Sequence, residues 1–512
     1  MGIAVCASGP WRSTSQTTLV EATEDRRPKQ ATSRSSTSLP TRGHKSGLSS
    51  HAQGDDVLAS PADANLGLPQ AAEHDPSLSR AQIDAAPAPM MTGGLRDMPT
   101  QPRRVGVIGA GIVGLSTAWF LRRHGCEVTV VDRDGVAAGA SWGNAGWLTP
   151  SLTMPLPSPE MRSYGIRALL DNSSPLYVPL RPDVALLRFL LSFLRHSTHA
   201  RWHAAMRHYV PLSRLALAAF DELFENGVEA SVCEGDPFLA CFRTSRERDV
   251  LLAELTRIER AGLPVHYDLV DGAGLRRIEP ALAPTVDAAI QLHGQRYLDP
   301  PRFLAALARG LQRQDVEIEA PRRVDDITDD GSAVVVHTDA GVRRYDAAVL
   351  ATGAWLPRIA RSFGIRQPLP AGRGYSFSVP VTRAPRGPVY FPVQRIACTP
   401  LGDRLRIAGM MEFRAPDAPL DRRRTATIAA TVAPLLADID LSARQDEWVG
   451  SRPVTADGMP LIGPTRSRRV HVAGGHGMWG IVLGPITGQL LAASIVEGRL
   501  RPELAPFDPL RR

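Results

Sequence analysis

Cysteine is scarce in this chain, with five residues among 512: Cys6, Cys126, Cys233, Cys241 and Cys398. No two of them stand as C-x-x-C, none has a zinc-site spacing, and the count is odd, so neither a disulfide framework nor a metal site is expected. They read as reduced thiols, and a cytoplasmic protein is the expectation that follows. Concentrated charge is lacking too. The 59 Lys+Arg and 52 Asp+Glu leave a net charge of +7, but the arginines are scattered and have no interleaved aromatics. That argues against nucleic acid as a partner and is compatible with anionic ligands or an anionic membrane surface. Residues 1–11 have no basic start followed by an apolar run, so a secretory signal is not expected. What is present is 43% hydrophobic and 22% charged residues, an ordinary globular composition with enough chain for two or three domains' worth of core.

The first hundred residues are rich in Ser, Thr, Gly and Pro and have no sustained apolar periodicity. Such a segment buries too little surface to offset its ordering entropy, so 1–102 is expected to be a disordered tail. Met98, just before the ordered part, is an alternative start.

Order begins at 103–134, RRVGVIGAGIVGLSTAWFLRRHGCEVTVVDRD. The pattern predicts a short apolar strand over 105–108, a glycine turn, a helix over 112–124 and a second strand over 127–131 that ends at Asp132. Gly109 permits the tight turn, Gly111 removes a Cβ so that a pyrophosphate reaches the helix N-terminus, and Gly114 lets helix and strand pack closely. Asp132 stands where a carboxylate accepts hydrogen bonds from a ribose diol. This unit points to a dinucleotide and, through the acid, away from a 2′-phosphate; it leaves NAD and FAD both open. Gly139-Ala140-Ser141-Trp142-Gly143 also matches G-x-S-x-G, but a nucleophile elbow needs a strand before it and a helix after it. Neither is in the pattern, so this stretch reads as a small-residue loop leading towards the cofactor.

Further along, 181–226 is helical in pattern, with Pro211 expected to divide it into two helices. Its apolar stripe and Arg188, Arg195, Arg201 and Arg207 suit either a solvated basic face or docking on anionic lipid. Strands are predicted in ASVCEGDPFLACFRT, VDAAIQLHGQRYLDP, GYSFSVP, VYFPV, ACTPLGDRLRIAGM and RRVHVAGG, and a helix in PRFLAALARGLQRQ. The apolar strand at 347–350 leads into the turn Ala351-Thr352-Gly353-Ala354, a second place where backbone N–H groups meet a cofactor. The nucleotide unit is therefore assembled from separated segments.

In this order, VGVIGAGIVGLSTAWFLRRHGCEVTVVDRD, SWGNAGWLTPS, AGRGYSFSVP, GSRPVTADGMPLIG and VAGGHGMWGIVLGPITGQLLA resemble the FAD-dependent D-amino-acid oxidase superfamily. They are most similar to its bacterial D-amino-acid dehydrogenase branch, over about 410 residues from Arg103 to the end. The resemblance implies an α/β (α+β) protein. It has a Rossmann-like FAD-binding domain (103–155, 291–366 and 450–512) and a substrate domain with a large antiparallel sheet (156–290 and 367–449). Carried over by motif, Gly109, Gly111 and Gly114 approach the FAD diphosphate, and Asp132 with its neighbour Arg133 the adenosine ribose. Ser141, Asn144, Ala145 and Gly146 border the flavin, Val324 meets the adenine through its backbone, and Gly353 lies at the second turn. Arg452 holds the substrate α-carboxylate, against the simpler reading of a structural arginine before a proline. Tyr375 is a second carboxylate or lid contact, or else a core tyrosine. His476 borders the flavin or donates a hydrogen bond near the substrate, or is structural.

The activity so implied is oxidative deamination of D-amino acids by hydride transfer from Cα to flavin N5, giving a 2-oxo acid and ammonia. A quinone or other acceptor takes the electrons. Alternatives are a sarcosine- or glycine-type oxidase, a D-hydroxyproline dehydrogenase and, from another class, a non-catalytic flavin sensor. The implied location is cytoplasmic, open to peripheral association with the cytoplasmic face of the inner membrane.

The stretch 473–496 carries no charge but six glycines, Pro485 and His476. It is long enough for a membrane span, yet its glycines and polar residues make it a poor one. It is expected instead to form a turn over 474–484 and a buried helix over 485–496, with Gly480, Ile481, Val482 and Leu483 touching the flavin.

Overall fold

The computed structural model describes residues 101–160, 176–177 and 183–511. The tail expected over 1–102 lies outside them, apart from Gln101 and Pro102.

The strand Arg104–Ile108 is apolar on both faces and sits inside a six-stranded sheet. The order across that sheet is Glu317–Glu319, Glu127–Val131, Arg104–Ile108, Ala347–Leu350, Val470–Gly474 and Leu461–Pro464. The first five run parallel, as strands covered on both sides by other elements commonly do, and only Leu461–Pro464 is antiparallel. The glycine turn after Ile108 leads into the helix Ile112–Arg123, and the last parallel strand leads towards the helix Gly480–Glu497. These two helices cross at very close range. A Cβ on Gly488 would lie 2.6 Å from the Ser116 carbonyl carbon, and one on Gly484 2.8 Å from Ile112 Cγ1. The glycine spacing of the uncharged stretch is therefore set partly by helix packing. That helix is long and apolar enough to cross a membrane, yet Leu483, Leu491 and Ala492 are fully buried in the core.

The helix begins at Gly480, more than a turn before the expected 485. Pro485 lies within its first turns, where the absent proline N–H costs only the bond to Ile481, and the chain continues through it. Pro211 behaves alike: His199–Glu225 is one helix through it, and the break falls earlier, at Ser197–Thr198. The Thr198 side chain accepts the Arg201 N–H and caps the new helix.

The second sheet has nine strands and is mostly antiparallel. Its main path runs Gln445–Pro453, Ala371–Pro380, Arg404–Phe413, Ile396–Leu401, Val389–Phe391, Phe238–Phe242, Ala288–Leu292 and Tyr267–Asp271. Ala288–Leu292 and Gln445–Pro453 run across the domain boundaries drawn from sequence at 290/291 and 449/450. Arg452 thus stands on an edge strand of the large sheet.

Gly488→Val should lower stability by about 1–3 kcal/mol through overpacking against Ser116 and Thr117, read as a lower denaturation midpoint with an unchanged m-value. A wild-type midpoint would refute the close helix crossing.

Candidate active site

The turn at 109–114 is built from backbone that tolerates no side chain. Gly109 has φ +115°, and a Cβ there would lie 2.4 Å from the Ala351 carbonyl oxygen; one on Gly114 would lie 1.9 Å from the Gly109 carbonyl oxygen. Gly111 differs, because the only atom a Cβ would approach is Ser141 Oγ at 3.3 Å. It is also the N-cap of the helix Ile112–Arg123 and has no side chain to cap it, so apart from the Ile112 N–H, which Ser141 takes, the helix presents open N–H groups to the space in front. That space is a long cavity. At one end lie the strand ends Val131 and Asp132 with Val324; in the middle lie Gly111, Gly139, Ser141, Asn144 and Gly353; at the other end lie Arg452, His476, Gly480 and Ile481.

Asp132 closes the first strand-turn-helix unit. One carboxylate oxygen accepts the Ala110 N–H at 2.7 Å, and the other accepts those of Asp134 and Gly135. Arg133 reaches the same end, but its guanidinium is already committed: it pairs with Asp134 at 2.7 Å and Asp417 at 3.1 Å and lies 4.7 Å over the Trp355 ring. Ser141 is no nucleophile on an elbow. It lies in a loop, and its hydroxyl accepts the Ile112 N–H at 3.2 Å.

At the other end Arg452 is half-buried on the cavity wall. It donates from Nη1 to the Met410 carbonyl at 3.3 Å and has no carboxylate partner among the described residues. Burial pushes its guanidinium down to about 10, so it remains charged at neutral pH. Two backbone features hold it. A Cβ on Gly374 would lie 2.1 Å from Arg452 Nη2, so the guanidinium rests on bare main chain. Opposite Gly374 the neighbouring strand carries a bulge, with register passing from Arg373↔Glu412 to Tyr375↔Gly409, and Met410 there has φ +62°. The bulge brings the Met410 carbonyl to Arg452.

Strand alternation removes Tyr375 from the site. Arg452 pairs with Gly372, so Gly372, Gly374 and Arg452 share one face, while Arg373 and Tyr375 point to the other. There the Tyr375 hydroxyl donates to Glu412 at 2.5 Å and its ring is fully buried in a separate apolar cluster. Val482 and Leu483 are also corrected: they belong to the helix and are buried in the main core, leaving Gly480 and Ile481 at the cavity. Ala145 and Gly146 stand behind the wall. The Ala145 carbonyl accepts the Thr399 hydroxyl, and a Cβ on Gly146 would lie 2.0 Å from the Leu298 carbonyl oxygen.

His476 lines the cavity at 4% exposure, with Nε2 2.9 Å from Thr487 Oγ1. Burial pushes its imidazole down to about 4, so it is neutral at physiological pH. It is tied to the arginine strand by a bridge to Val454 and by the Gly477 N–H on the Pro453 carbonyl. Sequence reasoning missed Gly374, Met410 and Trp355. The two glycines flanking Arg373 were the available signal, since alternate bare positions on a strand mark a close approach.

The family model described as FAD dependent oxidoreductase, DAO, matches residues 104–494. The chain belongs to this family. A D-amino acid dehydrogenase from Rhizorhabdus wittichii is 32% identical over 416 residues, covering 79% of this chain and 98% of that protein. Glycine oxidase from Geobacillus kaustophilus shares the fold at TM-score 0.62 and 24% identity, over 80% of this chain and 99% of its own. So does L-alpha-glycerophosphate oxidase from Mycoplasma pneumoniae, solved with FAD bound, at TM-score 0.60 and 15% identity over 79% and 97%. FAD is the cofactor of this DAO-family chain, and the residues fit it. The open backbone at Gly111 faces a helix start where a diphosphate would meet free N–H groups, and Asp132 lies on the same side, where a ribose would come.

Two outcomes follow. Gly111→Ala should reduce FAD content while the apoprotein melts as wild type, whereas Gly114→Ala should destabilise the apoprotein itself. Flavin absorbance per protein and apoprotein melting separate them, and equal behaviour would sink the distinction. For His476 the folded-state pKa is depressed, so its contribution is complete above the ordinary value near 6.5 and is lost as pH falls towards 4. His476 should contribute a fall in unfolding free energy of up to about 1.4 kcal/mol per pH unit in that window, buried His471 adding its own, and His476→Gln should remove only the His476 share of the slope in denaturant titrations.

Proposed function

We propose that this DAO-family oxidoreductase deaminates D-amino acids oxidatively, as a dehydrogenase of amino acid catabolism that passes electrons to a quinone or similar acceptor. The observation that carries the reading is the charged guanidinium of Arg452 on the cavity wall with no carboxylate partner among the described residues. A planar guanidinium is matched to bidentate capture of an α-carboxylate, and its partial burial strengthens that pair over the same contact in water. The 32% identity to a D-amino acid dehydrogenase supports the stereochemical class.

FAD, once held along this cavity, would supply the two-electron oxidation as a hydride acceptor for Cα, and the imino acid would hydrolyse to a 2-oxo acid and ammonia. The chain's residues do the positioning. Arg452, held on Gly374 and the Met410 carbonyl, fixes the carboxylate and thereby the orientation of Cα. The Gly480–Glu497 helix directs its uncapped N-terminus at the same end of the cavity, where its partial positive charge favours negative charge. His476, neutral and bound to Thr487, shapes the wall and carries no charge there. No general base is assigned, because an amine that binds neutral needs none. In this reading 103–155, 291–366 and 450–512 form the body of the FAD-binding part and 156–290 with 367–449 that of the substrate part, whose large sheet takes in the strands Ala288–Leu292 and Gln445–Pro453 across the drawn boundaries. The same reading makes the protein cytoplasmic, open to peripheral association with the cytoplasmic face of the inner membrane.

Anaerobic bleaching of the flavin absorbance is the test, across D- and L-amino acids, sarcosine and hydroxyproline isomers. D-amino acids should bleach it. Bleaching by sarcosine alone would point to an amine oxidase, and bleaching by none to a binding protein. Arg452→Ala should raise KM about 100-fold with FAD retained, the loss of a charge-assisted carboxylate pair. Unchanged kinetics would remove Arg452 from the site.

A further inference from the structure

The helix Val184–His196 has two apolar faces, and only one is used. Phe189 and Phe193 point inward onto Phe413 and Val454, with Phe189 and Phe413 ring centroids 5.5 Å apart. Val454 follows Arg452 by two residues, and Met411, which packs on the same cluster, follows the Met410 that holds it. The helix therefore covers the substrate end of the cavity wall. On its outer side Val184, Leu187, Leu191 and Leu194 are 63%, 57%, 51% and 38% exposed. Their spacing of three and four residues makes one continuous stripe on the helix.

Charge singles out the occupant. From 184 to 220 the chain has no Asp or Glu, and it carries Arg188, Arg195, Arg201, Arg207 and Arg214. Arg188 and Arg195 each follow a stripe leucine by one position and are exposed along its edge. None of the five forms an ion pair with a carboxylate among the described residues. A protein-binding patch of this size is usually anchored by Tyr or Trp. Here the stripe is aliphatic and the charges along its length are cationic; the flanking carboxylate, Asp183, is engaged in capping the Ala185 and Leu186 N–H groups. This is the composition of a helix that lies in the headgroup layer of a bilayer.

We propose that the outer face of Val184–His196 docks the protein on anionic membranes, with its leucines in the acyl boundary and Arg188 and Arg195 on lipid phosphates. Docking through this helix sets the substrate end of the site against the lipid, within reach of an acceptor dissolved there. The inference rests on the proposed function only for that acceptor, because docking is measured without turnover.

The FAD-loaded full chain is sedimented with vesicles of phosphatidylcholine, alone or mixed with phosphatidylglycerol, over a range of salt. Binding should require phosphatidylglycerol and weaken as salt rises. The double variant L187E/L191E should bind at least about tenfold more weakly, with flavin content and dye-linked turnover unchanged. R188E/R195E should flatten the salt dependence. Wild-type affinity in L187E/L191E, or no sedimentation of the wild type at low salt, would overturn the proposal. So would a self-associated wild type that the double variant converts to monomer without any vesicle binding, which would assign the stripe to a second copy. In each case the deamination reading stands or falls separately, on flavin bleaching in solution.

Discussion

Everything at the cavity depends on main chain approaching main chain more closely than side chains permit. At the diphosphate end Gly109, Gly114 and Ala351 nest within distances that a single methyl would violate. At the opposite end Gly374 lets a guanidinium lie flat on a strand. Behind the cavity wall, Trp448 packs as closely: a Cβ on Gly143 would meet its ring at 2.2 Å and one on Gly450 at 1.9 Å. One indole thus joins the Ser141 loop to the strand of Arg452, and the Ser376 hydroxyl adds a bond to the Gly143 carbonyl at 2.7 Å. Close approach makes the geometry stiff, because interiors packed to this density leave no slack for a shifted loop.

Much of this was legible before any coordinates. The strand, turn, helix and acid of 104–132 carry their own periodicity and punctuation, so that unit could be placed residue by residue. The large antiparallel sheet and the cofactor were visible only through a resemblance in five ordered motifs, since short strands of mixed polarity have no local signal for their partners. Arg452 was found by motif, but its support was not. A bulge at Met410 and a bare Gly374 are events between two strands, and neither strand announces them alone.

The misplacements share a cause. Tyr375 lies one residue from Gly374, and on a strand that single step is the difference between the cavity and the far face. Val482 and Leu483 follow Gly480 directly, but once the helix starts they turn away with its rotation. The motif points to Tyr375, with a core tyrosine as the alternative that the structure bears out, and following Gly480 points to Val482 and Leu483; in both cases the period of the backbone decided. The prolines misled for a related reason: Pro211 and Pro485 each remove one hydrogen bond, a cost that burial of the surrounding helix outweighs.

The central strand Arg104–Ile108 is apolar on both faces, and while Glu127–Val131 on one side follows closely in sequence, its neighbour on the other side, Ala347–Leu350, comes from far along the chain. Arg104 N–H reaches the Asp346 carboxylate across 242 positions, and the next strand outward is Val470–Gly474. During synthesis the strand therefore leaves the ribosome long before one of its partners exists. For that interval it is a sticky ribbon with one edge unpaired, the kind of surface that chaperones bind and that aggregates capture. The yield of this protein in a cell should be governed less by the stability of the finished sheet than by how well that early ribbon is shielded until residue 350 has been made.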